Sequence, residues 1–159
     1  MKVVMVFAEP GNPQTGERYP EDASADQFLL RTTQTAYDCF SGGRDQFHRN
    51  ARWFISQVFP GLAFAETLKQ VWLTEGRLCS FTEETGGRTD STCARQFLVR
   101  QISLLPNATV VAFGGKAKKY LSASRIPHIG AHALAPPGCN FKAARPSWDA
   151  VIEQVRACL

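Results

Sequence analysis

Apolar residues fall along this chain in short unbroken runs that alternate with longer stretches of helical spacing. Lys2–Ala8 (KVVMVFA) is β-branched and apolar throughout and stops at Pro10-Gly11, the pattern of a parallel strand buried on both faces. Gln70–Thr74, Thr109–Phe113 and Arg125–Ala133 predict three further strands. Helices are predicted over Ala25–Tyr37, with Phe28, Leu29 and Ala36 inward, and over Asp45–Phe59, with Phe47, Trp53, Phe54 and Val58 on one face. Thr92–Leu105 carries Phe97, Leu98, Ile102 and Leu105 at the same spacing, and Lys116–Leu121 is a short helix. Ser147–Cys158 closes the chain, capped by Ser147, with Trp148, Ile152 and Val155 inward. Ser41-Gly42-Gly43, Pro60-Gly61 and Pro106-Asn107 are the breaks between these elements.

Buried strands alternating with helices predict an α/β fold, a three-layer αβα sandwich around a central four-stranded, mainly parallel sheet. Right-handed crossovers then gather the loops 9–24, 75–91, 114–116 and 132–145 on one rim, at the strand C-termini. The 159 residues, 44% of them apolar, suit a single domain over 1–159. No repeat, low-complexity tract or linker interrupts it. No apolar run approaches the roughly 18 residues that span a bilayer, so no membrane partner is expected. MKVVMVFA leads straight into Glu9-Pro10-Gly11 and reads as a strand rather than a signal peptide. Five scattered cysteines do not make a secreted disulfide framework, which points to the cytoplasm. A net charge of +4 favours polyanions without demanding them.

The rim loops carry the chemistry. Glu9, in Ala8-Glu9-Pro10-Gly11, is a general base or a counter-charge for a cationic centre, or else a solvated residue of a Pro-Gly turn. Glu75, in Thr74-Glu75-Gly76-Arg77, supplies only acceptors unless protonated, and a loop residue paired with Arg77 or with water is its plain structural alternative. Gly114-Gly115-Lys116 makes a tight strand-to-helix turn, where a helix N-terminus and Lys116 suit a phosphate. His132 closes the fourth strand, and His128 reads as a packing residue.

In this order, KVVMVFAEPGNP, VWLTEGRLCSF, the pair Cys79 and Cys93, VVAFGGKAKKYL and GAHALAPP resemble the uracil-DNA glycosylase superfamily, nearest its compact iron–sulfur branch. The resemblance implies a base flipped out of DNA into a pocket. It implies Glu9 and His132 as catalytic residues, the first handling water or sugar charge and the second stabilising the departing base. Ala8, Pro10, Gly11, Tyr19, Glu75, Gly114 and Lys116 would bind the substrate, and Asn140, Lys142 and Arg145, with Phe141 as a wedge, would contact DNA. Several positions depart from the family pattern. Phe7 opens the first motif where a small residue is usual, Ala8 stands where the branch places its Glu, and Ala133 follows His132 in place of Pro. Glu75 replaces an Asn that reads the base edge, which suits bases with exocyclic amines better than uracil. Cys79 and Cys93 resemble only the second of the branch's two cysteine pairs, and two thiolates do not complete a four-cysteine site. No metal or cofactor is therefore expected. The expected function is hydrolysis of the N-glycosidic bond of a damaged or deaminated base. The alternative is a relative of the same fold that binds nucleic acid, a nucleotide or a protein without cleaving a glycosidic bond, and a third possibility is hydrolysis or transfer on a small nucleoside or nucleotide.

Overall fold

The computed structural model describes residues 1–11, 22–78 and 91–159. Within them the order is β1 (Val3–Phe7), α1 (Ala25–Gly42), α2 (Gln46–Val58), α3 (Phe64–Leu68) and β2 (Val71–Glu75). A π-helical segment, Ala94–Leu98, runs into α4 (Val99–Ser103), followed by β3 (Thr109–Phe113), α5 (Gly115–Ala123) and β4 (Ile129–Ala131). A 3₁₀ turn at Gly138–Asn140 leads to α6 (Ala144–Ala157). The strands form one sheet in the order β2-β1-β3-β4, and every neighbouring pair is parallel.

β1 is central and buried along its whole length, which is why its sequence is apolar without alternation. Its pleat divides the core in two. Val3, Met5 and Phe7 pack with Phe54 and Ile55 of α2 and with Trp148 and Ile152 of α6. Val4 and Val6 pack on the other face with Leu98, Tyr120 and Leu121. Helices thus cover both faces of the sheet, in the three layers expected. Burial of each such side chain contributes about 1.5–3 kcal/mol. The connection from β1 moves to one side of the sheet and that from β3 to the other, so the topological switch point lies between these two strands.

Several elements differ from their sequence expectation. Instead of spanning Arg125–Ala133, β4 keeps three residues, because Arg125 adopts φ 56° and Ile126 N–H closes back on the Leu121 carbonyl at 3.0 Å. Ser147 is not a cap. Helix α6 starts earlier, and Ser147 Oγ donates to the Ala144 carbonyl at 2.8 Å and accepts the His132 amide at 3.0 Å. Helix α1 is longer than expected, with a capping box at Ser24/Gln27 and a left-handed stop at Gly43, yet it buries none of its residues. Phe28 and Leu29, expected inward, are 41% and 60% exposed. Phe97 is likewise exposed, the helix around it splits into π and α segments, and α3 has no counterpart in the sequence reading. Among the described residues no helix is long and apolar enough to cross a membrane.

Candidate functional site

A cleft of about 780 Å³ opens at the C-terminal ends of β1, β2 and β3, over the switch point. Its floor is the sheet edge with Glu9, Glu75 and Lys116, one wall is the α1–α2 corner, and the other is the segment Ala133–Gly138. Glycines permit this closure. Gly114 adopts φ 90°, and a Cβ there would lie 3.1 Å from the Ala133 Cβ. A Cβ at Gly138 would lie 2.9 Å from the same atom, so Ala133 is seated between the two glycines.

Glu9 follows β1 by two residues and is only 14% exposed. Lys116, at the start of α5, donates to its Oε1, and Arg77 NH1 lies 3.8 Å from its Oε2. Arg77 is delivered there because the ladder continues past the strands: Gly76 N–H donates to the Phe7 carbonyl at 2.8 Å and Arg77 N–H to that of Ala8 at 3.2 Å. Gly76 rests on the ring of Tyr120, where a Cβ would come within 2.2 Å of Cδ2. Burial and the Glu9 charge raise the Tyr120 phenol above its ordinary pKa, against the opposing charges of Arg77 and Lys116 and a hydrogen bond from Arg77. Arg77 therefore ties Glu9 to a buried tyrosine.

Glu75 ends β2 and is paired in register with Phe7. Its carboxyl makes no ion pair with Arg77, which turns to Glu9 instead. Burial, and then the neighbouring Glu9 charge, push the Glu75 carboxyl up to about 7. The floor thus holds one carboxyl clasped by cations and one that takes up a proton far more readily than an ordinary glutamate.

The α1–α2 wall contributes a pair that sequence reasoning missed. Asp45 caps α2, accepting the His48 amide at 3.0 Å, and the same Oδ1 lies 2.8 Å from His48 Nδ1. Both residues line the cleft. The His48 ring is 18% exposed and held edge-on by Phe40 and Phe47, at centroid distances of 4.7 and 5.0 Å. Partial burial alone would raise the Asp45 carboxyl, but hydrogen bonds from the His48 amide and ring, with the imidazole charge, hold it below the usual range. The only trace in the sequence is a helix-capping Asp with a His in the first turn.

Of the residues named from sequence, Ala8, Glu9, Pro10 and Gly11 meet Glu75, Gly114 and Lys116 in the cleft. His132 is not brought to its lining. Its amide donates to Ser147 Oγ, its carbonyl accepts from Trp148 Nε1 at 3.0 Å, and its ring stands 6.3 Å from that of Phe141. Asn140 Oδ1 accepts from Gln46 Nε2 at 3.0 Å, and Arg145 lies over the Trp53 ring at 3.4 Å while pairing with Asp149 at 3.2 Å. Lys142 and Phe141 are exposed beside them. His128 Nδ1 meets the Ile126 carbonyl at 2.8 Å. Tyr19 and Cys79 lie outside the described residues, and Cys93 Sγ accepts the Leu78 amide at 3.3 Å. Among the described residues no cluster of His, Cys, Asp or Glu has the makings of a metal site. No family model, curated protein or solved structure matches the chain, so a functional reading rests on the chemistry of the cleft itself.

Proposed function

We propose that this chain is a DNA glycosylase-like hydrolase of the uracil-DNA glycosylase type, cleaving the N-glycosidic bond of a flipped, damaged or deaminated base. The observation that carries the reading is the pair Glu9 and Glu75, two carboxyls on one floor in different surroundings: Glu9 is clasped by Lys116 and Arg77, while burial and the Glu9 charge raise Glu75 to about 7. Such a difference suits the two carboxyls to different roles. Protonated Glu75 has a donor and an acceptor, so it can hydrogen-bond the base edge and pass a proton to the leaving base. Glu9, fixed by Lys116 and Arg77, is placed to oppose the positive charge that develops on the sugar as the bond lengthens. Exposed Phe141 and Lys142, with His132 beside them, would meet the strand at the rim.

The test is an oligonucleotide panel carrying uracil, hypoxanthine or xanthine, single- and double-stranded, scored for alkali-labile abasic sites. Abasic product that falls by about 10²-fold or more in Glu75→Gln supports the acid role, because an amide hydrogen-bonds but does not give up a proton. Full activity of Glu75→Gln would leave Glu75 a reader of the base only. One observation favours a second reading, a binding relative without hydrolysis: both Glu9 oxygens are already engaged by cations of this chain. Retention of the same oligonucleotides with no abasic product from any of them would decide for it.

A further inference from the structure

We propose that His48, oriented by Asp45, is the general base of the cleft, taking the proton from the water that attacks the sugar. This inference rests on the glycosidic reading above and adds a residue that the sequence resemblance does not supply. On the floor both Glu9 oxygens face Lys116 and Arg77, and Glu75, buried beside Glu9 and raised to about 7, serves as the acid, so the base is sought elsewhere. The opposite wall holds a group suited to accept a proton from water. His48 lines the cleft, and its Nδ1 is engaged by Asp45 Oδ1 at 2.8 Å. No described residue hydrogen-bonds to its Nε2. A carboxylate on Nδ1 fixes the tautomer that leaves Nε2 as the acceptor and stabilises the imidazolium formed when a proton arrives.

The wall is also rigid where this chemistry needs it. Asp45 is anchored by its second duty as the cap of α2, and Phe40 and Phe47 hold the imidazole edge-on. A substrate occupying the cleft between floor and wall would present one side of its sugar to Glu9 and the other to His48. In the step proposed, a water O–H proton passes to His48 Nε2 as the water oxygen bonds to the anomeric carbon. The carbon–nitrogen bond breaks, its electron pair leaves with the base, and the Glu75 proton completes that base. The imidazolium then loses its proton to solvent and Glu75 regains one, so one water is consumed and nothing is oxidised or reduced.

The competing account is a purely structural cap, and two substitutions separate them. Asp45→Asn keeps the cap, since Asn serves as well as Asp there, while removing the charge behind the imidazole. His48→Ala removes the proposed base and leaves the Asp45 acceptor for the backbone. The experiment is single-turnover base release from the best substrate of the panel, with affinity for the same DNA and the thermal midpoint measured alongside. We expect His48→Ala to slow release by about 10²-fold or more and Asp45→Asn by about 10-fold, with affinity unchanged. Added imidazole should restore part of the His48→Ala rate and none of the Glu75→Gln rate. A His48→Ala protein within about twofold of wild type overturns the inference while the glycosidic reading stands. So does a slow variant that imidazole fails to rescue and whose midpoint has dropped with it. If wild type releases no base from any substrate, both fall together.

Discussion

At the scale of single residues, Glu75 is where burial and function pull against each other. A carboxyl whose folded-state pKa is raised is protonated preferentially by the folded protein. Its burial is therefore harmless below the unfolded value of 4.5 and weighs against folding as pH climbs to about 7. The full penalty above that pH is roughly 3 kcal/mol. Glu75→Gln should accordingly be more stable than wild type at about pH 8 and no more stable at about pH 4, read from urea midpoints at both. Equal midpoints at the higher pH would mean that Glu75 is not held in this state. Glu9, Glu75 and Lys116 were legible in the sequence because they follow a strand, end a strand and open a helix respectively, and parallel-sheet topology brings such positions together. His48 was not, since its place in the cleft depends on how the α1–α2 corner leans over the sheet edge, and periodicity carries no information about that. His132 shows the converse. It follows its strand as expected, but Ser147 and Trp148 of α6 hold its backbone away from the cleft lining.

Among the elements, the passage from β2 to Arg77 is the tightest. Gly76 has no room for a side chain against Tyr120, and both are committed, the glycine to the ladder and the ring to the core. Gly76→Ala should destabilise the fold by about 1–3 kcal/mol, through overpacking, and draw Arg77 away from Glu9. Chemical denaturation and the activity of the folded fraction would report the two effects separately; a loss below about 0.5 kcal/mol would contradict the contact described. Helix α1 illustrates a limit of pattern reading at this scale. Its apolar residues recur at helical spacing, and the helix forms, but Phe28 and Leu29 stay exposed because nothing in the spacing says against what a helix packs. The α4 region failed in a related way. A π-helical segment shifts the phase of the face, so Leu98 is buried where Phe97 is not. In β4, Ile129–Ala131 kept their strand and Arg125–His128 did not, since a left-handed Arg125 redirects the chain first.

For the molecule as a whole, a net charge of +4 predicts that the DNA binding proposed above would be salt-dependent. Lys142, exposed beside Phe141 and carrying no ion pair among the described residues, would be the most direct phosphate contact on the proposed reading. Lys142→Ala should weaken binding for all sequences alike and reduce the slope of log affinity against log salt by about 1. An unchanged slope would take the rim out of the interface. Arg145 is a poorer candidate, because its guanidinium already stacks on Trp53 and pairs with Asp149. The sheet itself was the most legible feature of all, four apolar runs becoming four parallel strands in one plane. The order β2-β1-β3-β4 has a consequence for how the protein comes into being. Glu9 and Lys116 are 107 residues apart, and their union waits until β3 has docked beside β1. A chain emerging from the ribosome can thus pair β1 with β2 early, but Glu9 meets Lys116 only after β3 and the start of α5 have been made. Nascent chains released before α5 should lack the Glu9–Lys116 pair, and with it the closed floor of the cleft, whatever structure they have already gained.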